Sequence, residues 1–140
     1  MEFLPPFIGK TNNVVKGLNA RFRVYKYNVG SIYRPHLDGA WPGSGFSKDT
    51  GEYEYDAFGD RWSKLTFLLR LNQDFKGGAT TFYTPSSTVG QMDARSVYPG
   101  SGDCLVFPHG ETKGTLLHEG SPVLEGVKYV IRTEVLYLRG

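Results

Sequence analysis

Val127-Lys128-Tyr129-Val130-Ile131-Arg132-Thr133-Glu134-Val135-Leu136-Tyr137-Leu138 is the longest run in the chain without glycine or proline that is dominated by β-branched, aromatic and aliphatic side chains. Such a run reads as a strand. Successive side chains of a strand point to opposite faces, so Lys128, Val130 and Arg132 share one face. Shorter stretches of the same character precede it. Cys104–Pro108, Ser96–Tyr98 and Ala79–Tyr83 are each bounded by Gly or Pro, and Thr115–Glu119 follows them. Ser63–Asn72 is longer, with Leu65, Phe67, Leu69 and Leu71 in phase. Tyr33–Asp38 is short, and Arg21–Asn28 alternates, with Phe22 and Val24 on one face and Arg23, Tyr25 and Tyr27 on the other. No stretch supports a helix of three turns. Strands at this spacing without long helices predict an all-β domain, a closed barrel or sandwich rather than βαβ units.

The bulk composition agrees. The chain has 140 residues, enough for one domain with one core. Eighteen glycines, eight prolines and twenty aromatic residues suit a turn-rich β architecture. A net charge of +2 without a Lys/Arg cluster argues against a nucleic-acid partner. A single cysteine, Cys104, excludes an intrachain disulfide framework. No apolar stretch approaches the roughly 20 residues of a spanning helix, and Met-Glu-Phe-Leu-Pro-Pro does not read as a signal peptide. A soluble, cytoplasmic protein without membrane attachment is the expectation.

Two segments fall outside the strand rhythm. Residues 1–20 are rich in Pro, Gly and Asn and read as an irregular lead-in, with one short turn expected near Val14–Leu18. Residues 21–140 then form the domain proper. Gly39–Trp62 is a long loop carrying Trp41, Tyr53, Tyr55, Phe58 and Trp62. Loops of that length inside a compact domain are commonly functional, and the aromatic content argues against simple disorder.

His36-Leu37-Asp38 carries the chemistry. Residues i and i+2 of a strand share a face, so both side chains can reach the mouth of a barrel. Two imidazoles and one carboxylate occupy one face of an octahedral metal and leave the opposite positions open, as non-haem Fe(II) oxygenases require. A third ligand must come from His109 or His118, the remaining histidines. His109 lies in Phe107-Pro108-His109-Gly110 at a strand exit and reads as an exposed turn residue. His118 lies in an apolar strand, where a core histidine bonded to backbone is the alternative. Residue chemistry alone leaves both open.

Motif order separates them. His118-Glu119-Gly120-Ser121-Pro122-Val123, continuing to Gly126-Val127-Lys128, resembles the C-terminal signature of the prolyl 4-hydroxylase-like 2-oxoglutarate/Fe(II) dioxygenases. Tyr27-Asn28-Val29-Gly30 and Tyr33-Arg34-Pro35-His36-Leu37-Asp38 are similar to an upstream stretch of that family. Leu71-Asn72 with Gly77-Gly78-Ala79-Thr80-Thr81-Phe82, and Pro99 with Gly102-Asp103-Cys104-Leu105-Val106-Phe107, resemble its intervening segments. The match runs in order from about Arg21 to Tyr137.

The resemblance implies a double-stranded β-helix, a jelly-roll or cupin-like barrel of two four-stranded sheets, with little or no flanking helix. It implies His36, Asp38 and His118 as Fe(II) ligands, with Lys128 on the distal carboxylate of 2-oxoglutarate and Tyr27 and Thr80 hydrogen-bonding the same cosubstrate. A buried carboxylate needs a cation and hydroxyl donors, so the set is chemically suitable. Arg132 shares a face with Lys128 and competes with it, because arginine binds carboxylates bidentately. The implied reaction is hydroxylation of a C–H bond with O2, releasing succinate and CO2, with ascorbate as a candidate reductant. Trp41, Tyr53, Tyr55 and Trp62 would form a substrate loop. The substrate is a peptide or a small molecule. The short lead-in leaves the larger sheet to be covered by a partner or a missing segment. The alternative is a metal-binding cupin-like module without oxygenase turnover.

Overall fold

The computed structural model describes residues 4–8 and 13–139. Among them there is no helix, and thirteen strands follow one another along the chain. They are β1 (Val15–Leu18), β2 (Arg23–Tyr27), β3 (Tyr33–His36), β4 (Gly45–Phe46), β5 (Tyr53–Glu54), β6 (Arg61–Arg70), β7 (Lys76–Gly77), β8 (Thr80–Pro85), β9 (Met92–Val97), β10 (Cys104–Pro108), β11 (Leu117–Gly120), β12 (Val123–Glu125) and β13 (Lys128–Leu138). Nothing among the described residues is a helix long and apolar enough to cross a membrane.

Two antiparallel sheets face one another as a double-stranded β-helix. The larger runs β1-β13-β6-β10, with β2 also on β13. The smaller runs β3-β11-β8-β9. The long apolar run is the hub of the larger sheet. One edge of β13 pairs with β6, while the other pairs with β2 over Lys128–Arg132 and with β1 near Val135–Tyr137. The larger sheet therefore has five strands rather than the four expected. The extra strand is Val15–Leu18, where the sequence suggests a turn. Gly17 (φ 109°) makes a bulge in its pairing with β13 and hides the two-residue alternation.

The register sets which side chains meet. Arg23, Arg132, Leu68 and Leu105 form one cross-strand row, and Val24, Ile131, Leu69 and Cys104 form the next. Rows alternate between the faces, so the first looks into the barrel and the second away from it. Leu65, Phe67 and Leu69 thus lie on the outer face, and Thr66, Leu68 and Arg70 look inward. Part of that outer face is covered by the lead-in. Leu4, Ile8 and Val15 pack with Phe67 and Val106 on a cluster of Leu65, Val135 and Tyr137, and the Tyr137 hydroxyl donates to the Pro5 carbonyl (2.9 Å). Phe22 and Val24 remain exposed. Between the sheets, Phe82 of β8 meets Phe107 of β10 edge-to-face at 5.0 Å.

Candidate metal centre

β3 and β11 are neighbours in the smaller sheet, and His36 pairs directly with His118 across them. The two rings lie 4.4 Å apart, and Asp38 follows β3 closely. One ligand atom from each of His36, Asp38 and His118 falls within 4.8 Å of the others. In each histidine the Nδ1–H donates to the carbonyl two residues earlier, Arg34 at 2.6 Å and Leu116 at 3.0 Å. That bond fixes the tautomer and leaves both Nε2 lone pairs directed at Asp38. Burial among Phe82 and Phe107 pushes the His118 pKa below its ordinary value, which keeps the ring neutral and able to ligate. Such a donor set fits a first-row divalent metal with open positions.

Asp38 is buried and heavily bonded. Its Oδ1 lies 3.0 Å from Arg132 Nη2 and 3.1 Å from His36 Nε2, and Oδ2 accepts from the Thr66 hydroxyl at 2.6 Å. Burial alone would raise its pKa, but Arg132 and the Thr66 hydrogen bond outweigh it and hold the carboxyl below the usual range. Its backbone is anchored too, because the Gly110 N–H donates to the Asp38 carbonyl (2.9 Å). Gly110 has φ +59°, and a Cβ there would meet the Ala40 Cβ at 2.9 Å.

His109 is where the structure departs most from the sequence reading. It is fully buried rather than exposed in a turn. Its Nε2 lies 2.7 Å from Ser63 Oγ and its Nδ1 2.8 Å from Thr66 Oγ1. Thr66 has one proton and gives it to the ionised Asp38, so its oxygen must accept from His109 Nδ1–H. Nε2 then accepts from Ser63 O–H, and Ser63 accepts from the Trp41 N–H (2.8 Å). The result is one directed chain of bonds from Trp41 to the Asp38 carboxylate. Burial pushes the His109 pKa down to about 4, consistent with a neutral ring.

A cavity between the sheets extends from this cluster. Tyr27, Thr80, Lys128 and Arg132 all line it, together with Arg70, Tyr25, Tyr33 and Glu119. Lys128 is buried, its Nζ donates to the Gly78 carbonyl (2.8 Å), and it lies 4.8 Å from the Tyr27 ring. Burial, and then Arg70, lower its pKa to about 8. Burial beside Tyr25 and Tyr33 raises Tyr27 to about 12, so its hydroxyl keeps its proton as a donor. Arg132 is held by Asp38 at the metal end, four residues along β13 from Lys128.

None of Trp41, Tyr53, Tyr55 and Trp62 lines the cavity. They find partners away from the cavity instead. Trp41 lies edge-on to Tyr55 (6.1 Å) beneath the Arg21 guanidinium, Tyr53 meets Phe46 across the β4–β5 ribbon (6.0 Å), and Trp62 packs under Arg139 (4.4 Å). The aromatic side chains at the cavity are Tyr25, Tyr27, Tyr33 and Phe107, with Tyr33 4.2 Å from the His36 ring. Sequence reasoning also passed over Arg70. Its signal was present: an arginine after the apolar run Leu65–Leu69, in phase with Thr66 rather than with Leu65, Phe67 and Leu69.

Known proteins resemble this chain in sequence and in fold. The family model described as "2OG-Fe(II) oxygenase superfamily" matches residues 22–133. A curated relative, probable prolyl 4-hydroxylase 9 of Arabidopsis thaliana, is 27% identical over 143 residues, which is 93% of this chain and 45% of that protein. Among solved structures, an oxidoreductase of the 2OG-Fe(II) oxygenase family from Burkholderia pseudomallei superposes with a TM-score of 0.54 at 14% identity, covering 91% of this chain and 47% of that one. A Pseudomonas putida prolyl-4-hydroxylase gives 0.51 at 22% identity, covering 85% and 51%. The chain thus spans about half the length of these proteins, and the solved structures bear on the fold alone.

Proposed function

We propose, from the premise that this chain belongs to the 2OG-Fe(II) oxygenase superfamily, that it is an Fe(II)- and 2-oxoglutarate-dependent dioxygenase hydroxylating a C–H bond. The observation that carries the reading is the convergence of His36, Asp38 and His118, with both imidazoles locked in the tautomer that presents Nε2. When bound, iron with 2-oxoglutarate and O2 supplies the oxidising chemistry, with succinate and CO2 released and ascorbate as the reductant that keeps the iron ferrous.

The chain's own residues do the rest. His36, Asp38 and His118 hold the metal and leave its remaining positions open. Lys128 takes the distal carboxylate of 2-oxoglutarate, and Arg132, already engaged with Asp38, orients that ligand instead. Tyr27 and Thr80 donate hydroxyl hydrogen bonds to the cosubstrate from opposite sheets. Phe82, Phe107 and Leu105 keep water from the reacting centre.

Beside His36 the cavity is walled by Tyr33, with Tyr25 edge-on to it. A flat apolar group on a peptide fits such a wall, and peptidyl proline is the first substrate to test. Succinate release by the Fe(II)-loaded protein checks the reading. It should depend on 2-oxoglutarate and O2, rise with a proline-rich peptide over free amino acids, and vanish in Asp38→Ala. Undiminished succinate from Asp38→Ala would sink the ligand assignment.

A further inference from the structure

The cavity holds one more cation than a single carboxylate partner requires. Arg70 and Lys128 are both about 95% buried, with 5% and 4% of their surface exposed. Arg70 pairs in register with Val130, which places it diagonally across from Lys128 on the same inward face of two antiparallel strands. Among the described residues the Arg70 side chain makes no hydrogen bond or ion pair, and its guanidinium lies 4.9 Å from the Phe75 ring. Lys128 reaches only a backbone carbonyl. Neither carboxylate of the cavity answers them. Asp38 is taken by Arg132 and Thr66, and Glu119 accepts from the Tyr83 and Ser121 hydroxyls.

Two buried like charges side by side, without a counter-ion, are unfavourable unless a ligand supplies the negative charge. Their mutual effect is visible in Lys128, whose pKa is lowered first by burial and then by Arg70. An arginine fork matches the two oxygens of a carboxylate, and the lysine adds a point charge beside it.

We propose that Arg70 acts with Lys128 as a two-cation receptor for the distal carboxylate of the 2-oxo acid, and that Arg70 sets the requirement for a dicarboxylate. This rests on the Fe(II)/2-oxoglutarate reading above. The position along the barrel is consistent. The Arg132 row faces Asp38 at the metal end, the Val130–Arg70 row lies beyond it, and Lys128 lies one row further. A ligand anchored at the metal by its 2-oxo acid end would extend toward that pair.

Anaerobic calorimetry of the Fe(II)-loaded protein tests this with two probes. One is 2-oxoglutarate, and the other is 2-oxovalerate, which has a methyl in place of the distal carboxylate. Arg70→Gln should weaken 2-oxoglutarate binding by about tenfold or more, the loss expected for charge-assisted hydrogen bonds. It should leave 2-oxovalerate binding and Fe(II) affinity unchanged. Arg70→Lys, which keeps the charge without the fork, should fall between wild type and Gln and serves as the variant if Gln does not fold. An unchanged 2-oxoglutarate affinity in either folded variant, or equal losses for both probes, would overturn the role of Arg70. Wild-type protein that binds neither 2-oxo acid would overturn the dioxygenase reading and this inference with it. Wild-type protein that binds 2-oxoglutarate keeps the two failures apart.

Discussion

At the residue scale, the most consequential side chain outside the His36–Asp38–His118 cluster is His109. It is fully buried and neutral, and it stands behind Asp38 through Thr66. The unfolded chain binds a proton at a histidine near the ordinary 6.5, whereas the native ring does so only near 4. Between these values the unfolded state holds more protons, so stability falls as pH drops from 6.5 toward 4. The full difference is worth about 3 kcal/mol. Denaturant unfolding of metal-free protein should show this loss in wild type and a shallower one in His109→Asn. Equal slopes would contradict the buried neutral ring. Residue chemistry could not reveal this role, because Pro108 and Gly110 around His109 signal a turn. The partners that bury it, Ser63 and Thr66, lie more than forty residues away in sequence.

At the scale of elements, the eight strands read from alternation are all present, with ends that move by a few residues. In the longest of them the apolar phase was clear because Leu65, Phe67 and Leu69 share the outer face, part of which the lead-in covers. What escaped was too short or too irregular to carry a period: β1 with its bulge, and the two-stranded ribbons β4–β5 and β7–β12. Gly39–Trp62 reads as a loop and largely is one, yet its base is tied down by an element thought irregular. Asn19, just beyond β1, is fully buried. Its amide contacts Glu134 Oε2 (3.2 Å) and the Pro42 carbonyl (3.4 Å), and its Oδ1 accepts from the Ser44 N–H (2.9 Å). Glu134 is also fully buried and pairs with Arg23. Asn19→Ala would leave the Ser44 N–H and one oxygen of Glu134 without partners, costing about 2–4 kcal/mol. Urea unfolding should show that loss. A change within about 0.5 kcal/mol, the usual range for a neutral surface substitution, would contradict the knot.

On the scale of the whole molecule, the barrel concentrates charge where an ordinary core would exclude it. Arg70, Lys128, Asp38, His109, His118 and Glu134 are all buried between or beside the sheets, with Arg132 partly buried among them. The convergence of His36, Asp38 and His118, and the place of Lys128 at the cavity, were legible because the resemblance rests on motifs in order. Arg70 was not, because its meaning comes from a neighbour on another strand. The substrate side was read toward the aromatic loop, whereas the fold brings Tyr25 and Tyr33 to the cavity. That difference arises because β2 and β3 supply the walls, while the loop aromatics pair with one another or, for Trp62, with Arg139. The arrangement has one central claim, that these residues assemble Fe(II) with 2-oxoglutarate in a single site. Adding 2-oxoglutarate to anaerobic Fe(II)-loaded protein tests it most directly. A weak visible metal-to-ligand charge-transfer band should appear in wild type and be absent in Asp38→Ala. Its absence from wild type, in protein that still binds zinc tightly, would contradict the account.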